Sequence, residues 1–578
     1  MTDSTQLADQ YLLQSSLKPD VSVKVSRGKG VAVVNDGQTG SYSSGIVSFD
    51  CQSALNGSHG YASLKDAYVV LPYVVSMKNS AASALTAGDC PTRYALGLKC
   101  NIYNIVDEVK VYLNGKSIIT PSEYKQQWSN FRAMAELTTA EVEKHGADMF
   151  LFPDDWESIK HSAASSISGD GNSNTCLSGN SSLVLNSVSN TEPTRSNSGF
   201  VRRVLNNPPE VGSGAAANSH GWPSLNKSTS QAIAQMRGTG AFKKGTALTQ
   251  GSTLGEWLYM LKIRLVDLHS IFNELDLLGN PQLKLELKVQ TGYSEIALTP
   301  RATVASRTMA LTSTTLIAGT VCPVILGSSV SPAGTADAMN AVIGDAGKSD
   351  KLQIAWGSIH NTITTIATSG SYFPFTQGRL NIPFYDLANP TALVSKPMKT
   401  IKYLDCYSQL FSVQFNSMRH TNWRFPLVAI PYANTKTSNF ASAHQTQQFA
   451  SLFDSVPWTC QPGSSIRDFQ VQVGIKNVFQ DVHLYDWQAF MDEFSKIGAI
   501  NGDLSREISN GLIGIDKWQT AQRFLVADCS RISEPDVPQS INVSGVNVAT
   551  QGSNLLVLVV YERTLEIDRI TGEVFRAD

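Results

Sequence analysis

The chain is short of charge, has no patterned cysteines and lacks any long apolar run. Only 16% of its 578 residues are Asp, Glu, Lys or Arg, against about 25% in an ordinary soluble domain. A surface so thinly charged, and rich in Ser, Thr, Asn and Gly, suits contact with other protein; it also suits a loop-rich all-β protein. The formal net charge of −2 excludes a cationic coat that wraps nucleic acid by neutralising its phosphates. Pairs such as Arg202-Arg203 and Lys243-Lys244 read as solvated loop charges. MTDSTQLADQ has neither a basic n-region nor an apolar h-region, so no secretory signal is expected. The longest apolar runs, YVVLPYVV at 68–75 and LLVLVVY at 555–561, reach less than half of the ~20 residues a membrane span needs. They read as buried strands, and no membrane span is expected.

Eight cysteines at 51, 90, 100, 176, 322, 406, 460 and 529 form no C-x-x-C pair. That spacing argues against a zinc ribbon and a small disulfide scaffold. Reduced, mostly buried thiols are expected. Catalytic patterns are missing too. LNGKS at 113–117 and GDAGKSD at 344–350 contain Gly-Lys-Ser, but a phosphate-cradling loop needs a further Gly where Lys110 and Val342 stand. No H-E-x-x-H, G-x-S-x-G or G-x-G-x-x-G string occurs. The nine histidines are scattered, no two within four residues, and His269 and His483 read as structural or surface residues. Asp154-Asp155, after Pro153, reads as a solvated turn, since a calcium loop needs several spaced oxygen ligands. The expectation is no catalytic residue, no cofactor site and no metal site.

What the sequence does contain is alternation. In LKLELKVQTG, residues 283–292, Leu283, Leu285, Leu287 and Val289 alternate with Lys284, Glu286, Lys288 and Gln290, the period of a strand with one dry and one wet face. TLEIDRITG, residues 564–572, repeats the pattern with Leu565 and Ile567 against Glu566 and Asp568. In both places a Thr-Gly pair follows as a turn signal. Each stretch is expected to be the last strand of a separate β-sandwich.

A chain of 578 residues exceeds the roughly 250–300 over which one core keeps growing, so two domains are expected. Residues 1–28 read as a polar N-terminal arm, 29–295 as a first sandwich and 296–578 as a second. GVAVVN, GIVSFD and DAYVVLPYVVSM open the first. EVKVYLNGKSII is a hairpin whose Asn114-Gly115 pair suits a type I′ turn, with Val109, Val111 and Leu113 on its buried face. PSEYKQQWSNFRAM spaces Tyr124, Trp128 and Phe131 as a helix does, with Ser122 as its cap. TTAEVEKHG is a second helix stopped by Gly146. Residues 161–250 hold no period and form a long loop excursion on one rim, anchored by Phe200, Val201 and Trp222.

LYMLKIRLVDL is then a strand, and HSIFNELDLL a short helix presenting Ile271, Phe272 and Leu275. In the second half, TVASRTMALTSTTLIAG, LQIAW, GRLNIPFYDL, YSQLFSVQF and RFPLVAIPY are strands. DWQAFMDEFSKIG is a helix with Trp487, Phe490, Phe494 and Ile497 on one packing face and Gly498 as its stop. Regular strand–helix alternation is missing, which favours antiparallel sandwiches of about eight strands each over a parallel sheet.

NVFQDVHLYDWQAFMDEF, INGDLSREISNGLIGIDKWQTAQRFLVADCSR, VPQSINVSG and NLLVLVVYERTLEIDRITG, in that order, resemble the closing portion of double jelly-roll major capsid proteins of polinton-like viruses and virophages. PFYDLANP and KTIKYLDCYSQ are similar to the same family's entry into its second roll. LYMLKIRLVDLHSIFNELDLLGNPQLKLEL and NIVDEVKVYLNGKSI resemble a strand–helix–strand unit and a hairpin of its first. The resemblance spans about residues 95–573; the stretch 161–250 does not align, and Trp487-Gln488 stands where an acidic or aromatic pair is usual.

The resemblance implies an all-β double jelly roll and a homotrimer forming a pseudo-hexagonal capsomer. Capsomers would tile an icosahedral virion shell, assembled inside the host cell, around double-stranded DNA contacted only indirectly. It also implies penton and minor capsid proteins as partners. The arm would lie along the inner face of the shell. Two rivals stay open from the residues alone. One is a glycan-binding β-sandwich adhesin or viral attachment protein; the other is a carbohydrate-active enzyme with a carboxylate pair.

Overall fold

The computed structural model describes residues 26–37, 45–55, 60–79, 94–98, 102–146, 149–153, 240–244, 251–299, 308–318, 323–328, 350–358, 375–387, 390–412, 418–420, 427–433, 466–479, 485–500, 512–515, 518, 525–529, 539–547 and 553–577. Asp154-Asp155, His483, residues 1–25 and all of the 161–250 excursion except 240–244 lie outside the described residues.

The alternation at 283–289 does what its period requires. Leu283, Leu285, Leu287 and Val289 are fully buried. On the wet face the cross-strand partners are charge-matched: Lys284 lies opposite Asp50, Glu286 opposite Lys110 and Lys288 opposite Glu108. The strand Leu283–Val289 therefore sits inside a four-stranded sheet, between Ile46–Asp50 and Val106–Leu113, with Lys116–Ser117 beyond. Facing it is a larger antiparallel sheet in which Ser26–Asn35 pairs with Arg379–Leu387, that strand with Tyr68–Asn79, and that in turn with Thr253–Arg264. Val47, Val111 and Leu285 from one sheet meet Leu71, Leu261 and Leu380 from the other in one core.

Counting this unit's main strands in chain order, one sheet runs first, eighth, third, sixth and the other second, seventh, fourth, fifth. The second unit has the same path. Met398–Ser412, Ser553–Asp568, Leu427–Ala433 and Leu525–Ala527 form one sheet in the order first, eighth, third, sixth. Met418–His420, Gln539–Asn547, Ile466–Val473 and Lys476–Asn477 form the other as second, seventh, fourth, fifth. First pairs with eighth, second with seventh, third with sixth and fourth with fifth, all antiparallel, in both units. That is one long hairpin ribbon rolled up, a jelly roll, twice over.

Two expectations change. The strand at 283–289 is the seventh of its roll, not the last. The eighth is Arg379–Leu387, reached only after the inserted strands Thr291–Thr299, Thr308–Ala318 and Asp350–Gly357, which extend the same sheet through Tyr68–Asn79. Strand partners therefore switch from the first roll to the second between Leu387 and Met398, well past the expected boundary at 295/296. Periodicity marks a strand but not its partner. Likewise Thr291-Gly292 is strand rather than turn, whereas Thr571-Gly572 does turn, with Gly572 at φ +75°.

Local signals fare well where they are strong. Asn114 (φ 49°) and Gly115 (φ 76°) both adopt the left-handed conformation of a type I′ turn, and Val109, Val111 and Leu113 are buried beneath it. Nothing lies within 4 Å of a Cβ built on Gly115, so Gly115→Ala should cost only the backbone penalty, about 1 kcal/mol in a thermal melt. Thr138 and Glu141 form a capping box for the helix Thr139–His145, which Gly146 ends.

Two helix ends differ from expectation. Ser122 does not cap the helix Lys125–Glu136; its cap position is Tyr124, at φ 59°, without a side-chain bond, and the Ser122 hydroxyl is turned to Ser408 instead (Oγ–Oγ 2.7 Å). Gly498 does not stop the helix Trp487–Ile500, which runs two residues past it.

The two rolls brace each other. Tyr124 at the cap and Trp128, Phe131 and Met134 of the helix Lys125–Glu136 belong to the second roll's core, where Phe131 meets Phe494 edge-on at 5.9 Å between ring centres. In return Ile401, Tyr403, Leu565, Ile567 and Val574 belong to the first roll's core. The turn at Arg569–Gly572 lies backbone to backbone on Gly279 and Asn280: a Cβ on Gly279 would stand 2.3 Å from the Ile570 carbonyl oxygen, so only glycine fits.

Candidate functional site

Where the two rolls meet, the described residues include a buried ion pair, Lys125 with Asp405. Along Met398–Ser412, alternate residues face different cores: Ile401 and Tyr403 enter the first, Cys406 the second. Asp405 follows Tyr403 on the first-roll side and is completely buried. Its Oδ1 accepts from Lys125 Nζ at 2.6 Å, lies 3.4 Å from His269 Nε2 and also accepts from the Cys406 backbone N–H at 2.8 Å. Its Oδ2 accepts from the Thr120 backbone N–H at 2.6 Å and from Arg563 Nη1 at 3.4 Å. Lys125, Thr120 and His269 come from the first roll; Asp405 and Arg563 come from the second.

The electrostatics are those of a lock. Burial pushes the Asp405 carboxyl up, but the Lys125 ammonium and the His269 hydrogen bond outweigh it and hold the group well below the ordinary carboxylate value. Burial lowers Lys125, and Asp405 more than compensates, so its pKa is raised. Burial also depresses His269 to about 4 against the partial opposition of Asp405, leaving a neutral imidazole. Its Nδ1 accepts from the Ile271 N–H at 3.2 Å, which places the ring proton on Nε2, facing Asp405.

Around this cluster Tyr403 Oη donates to the Ile118 carbonyl at 2.5 Å. Thr120 and Tyr561 share a short hydroxyl contact, and Lys399 reaches Glu274 at 2.8 Å. Every one of these bonds joins one roll to the other. A carboxylate with both oxygens engaged, an ion-paired lysine and a neutral histidine, all buried, tie the two rolls together.

The residues weighed in the sequence fall as follows. His269 is buried in this lock, and its ring is the acceptor that starts a 3-10 turn. Lys116, the lysine of the first Gly-Lys-Ser string, donates to the Phe575 carbonyl at 2.8 Å across the junction. Phe490 and Phe494 are core residues, with Trp487 packed at their edge. Cys51, Cys406 and Cys529 are free and buried, with burial raising the first two thiols to about 12 and about 11. No group of His, Cys, Asp and Glu fit to hold a metal ion occurs among the described residues, and no described helix is long and apolar enough to cross a membrane.

Sequence reasoning passed over Asp405, Lys125 and Arg563. A usable signal existed in KYLDCYSQ, where one aspartate interrupts the apolar side of an alternating strand, a placement that demands a buried partner.

No protein-family model matches the sequence, and no curated protein sequence matches it. Among solved structures it is similar to a chain of the Sputnik virophage, with 11% identity and TM-score 0.45 over 96% of this chain and 90% of that one. It is likewise similar to the mavirus major capsid protein, with 11% identity and TM-score 0.41 over 97% and 93%. For the Faustovirus major capsid protein the values are 8%, 0.40, 97% and 97%. The chain is thus similar across nearly its whole length to viral major capsid proteins, and its own strand order makes it a tandem double jelly roll.

Proposed function

We propose that the protein is a major capsid protein whose trimers form pseudo-hexagonal capsomers in an icosahedral virion shell around double-stranded DNA, assembled inside the host cell. The observation that carries this reading is the repeated strand path: two rolls of identical topology stand side by side in one chain, each with a piece of the other in its core. Three such chains present six similar lobes, so a threefold object fills a sixfold place in a lattice. The role is architectural and non-enzymatic, which accords with a buried Asp405 engaged across the junction by Lys125 and Arg563. The genome is met only indirectly, in keeping with a net charge of −2. Penton and minor capsid proteins complete the shell.

The test is the mass of the purified protein, with electron microscopy of the same sample. A three-chain particle with a hexagonal outline is expected. A protein that stays monomeric up to high concentration, or binds on a glycan array as a monomer, would count against the assignment.

A further inference from the structure

The junction inside one chain shows how two such rolls fit together. In the second roll, the outward face of the first and eighth strands carries Ile401 and Tyr403 opposite Leu565 and Arg563. The first roll covers it, using its fourth–fifth hairpin, where Lys116 and Ser117 reach Phe575 and Arg563, and the connection that follows, through Thr120 and Lys125. The first roll has the same strand path and hence the same outward face on its own first and eighth strands. There Val31 and Val33 point out; each is 51% exposed, and they lie opposite Pro383 and Asn381. Ala32 and Val34 point into the core.

The second roll, for its part, has a fourth–fifth hairpin that meets no counterpart face among the described residues of its own chain. The hairpin's two-residue turn is Gly474-Ile475, and Ile475 is 91% exposed. Among the described residues one chain therefore leaves Val31 and Val33 exposed beside the buried Pro383 on a receiving face, and Ile475 exposed at the tip of an inserting hairpin. They are the two halves of the contact already made once inside the chain.

We propose that the Val31/Val33 face of one copy receives the Ile475 hairpin of a second copy, repeating between chains the junction made within each. The contact is heterologous, and the capsomer reading requires that alternation of internal and external junctions close a ring of three chains rather than run on as a filament. The inference rests on the capsomer reading and adds to it which surfaces meet.

The experiment uses the full chain in three forms: wild type, Val31→Asp with Val33→Asp, and Ile475→Asp. Because these side chains are exposed, each variant should keep the wild-type melting profile of the isolated subunit. Sedimentation should show self-association weakened roughly tenfold or more in both, since each buries an unpaired carboxylate at the contact. A second arm co-expresses differently tagged Val33→Cys and Ile475→Cys chains. A disulfide-linked heterodimer that neither chain gives alone is expected.

If the wild type forms trimers and both aspartate variants do so equally well, the surfaces are wrong while the capsomer reading stands. If trimers persist but the Val31/Val33 variant melts earlier, the face is covered by its own chain and the inference falls. A wild type that never associates overturns both.

Discussion

Asp405→Asn is expected to lower the unfolding free energy by about 3–5 kcal/mol at pH 7, the usual cost of stranding one partner of a buried pair. The amide keeps the shape and leaves Lys125 and Arg563 facing no anion. Lys125 stands out because it opens the helix Lys125–Glu136, putting a cation at the positive end of the helix dipole. Only a strong local anion makes that position favourable. Lys125→Met placed on Asp405→Asn should therefore recover part of the loss, and a double-mutant cycle on chemical unfolding measures the coupling. Additive losses would mean that the two groups do not support each other.

The same cluster sets an acid response. His269 has its pKa lowered from 6.5 to about 4, so the unfolded chain takes up a proton there before the folded one does. Its contribution is whole above pH 6.5 and disappears as the pH falls towards 4, roughly 3 kcal/mol in all. Asp405, also depressed, contributes fully above the ordinary carboxylate value of about 4 and loses that contribution as the pH falls through its lower folded value. Calorimetry from pH 7 to 4 should show stability falling first through histidine, and His269→Gln should flatten that upper part of the curve.

The second large effect concerns the crossed packing. Phe131→Ala should cost about 3–5 kcal/mol and Leu565→Ala about 2–5 kcal/mol, as for large-to-small changes at fully buried sites. The location of the damage matters more than its size. Phe131 belongs to the first roll's connection but packs in the second core, and Leu565 the reverse. Hydrogen exchange should quicken in Leu525–Ala527 and Ser553–Asp568 for Phe131→Ala. For Leu565→Ala it should quicken in Leu283–Val289. Loosening confined to the roll that supplies the substituted residue would refute the mutual bracing.

Much of the fold was legible because its signals are local. LKLELKV states its own two faces, Asn114-Gly115 its own turn, and Trp487, Phe490 and Phe494 their own helix. What could not be read is who pairs with whom. The eighth strand of the first roll, Arg379–Leu387, is separated from the seventh by four inserted strands, and nothing in GRLNIPFYDL names Ser26–Asn35 as its neighbour. The expectation of a boundary at 295/296 follows from that alone. The junction was hidden for the same reason: Thr120, Lys125, His269, Asp405 and Arg563 are scattered over more than four hundred positions and become a group only after both ribbons have rolled. Gly498 failed as a stop because a glycine weakens a helix interior without forbidding it.

The rolled-ribbon path also orders events in time. Ser26–Asn35 leaves the ribosome long before Arg379–Leu387, the strand it pairs with. At ~5–20 residues per second that partner follows some tens of seconds later. Val574, which completes the first roll's core, emerges later still. A growing chain thus carries an open sheet edge through most of its synthesis, exposed to every neighbouring nascent copy. Protease protection of ribosome-bound chains is therefore expected to appear in the first roll only after Arg379–Leu387 has emerged.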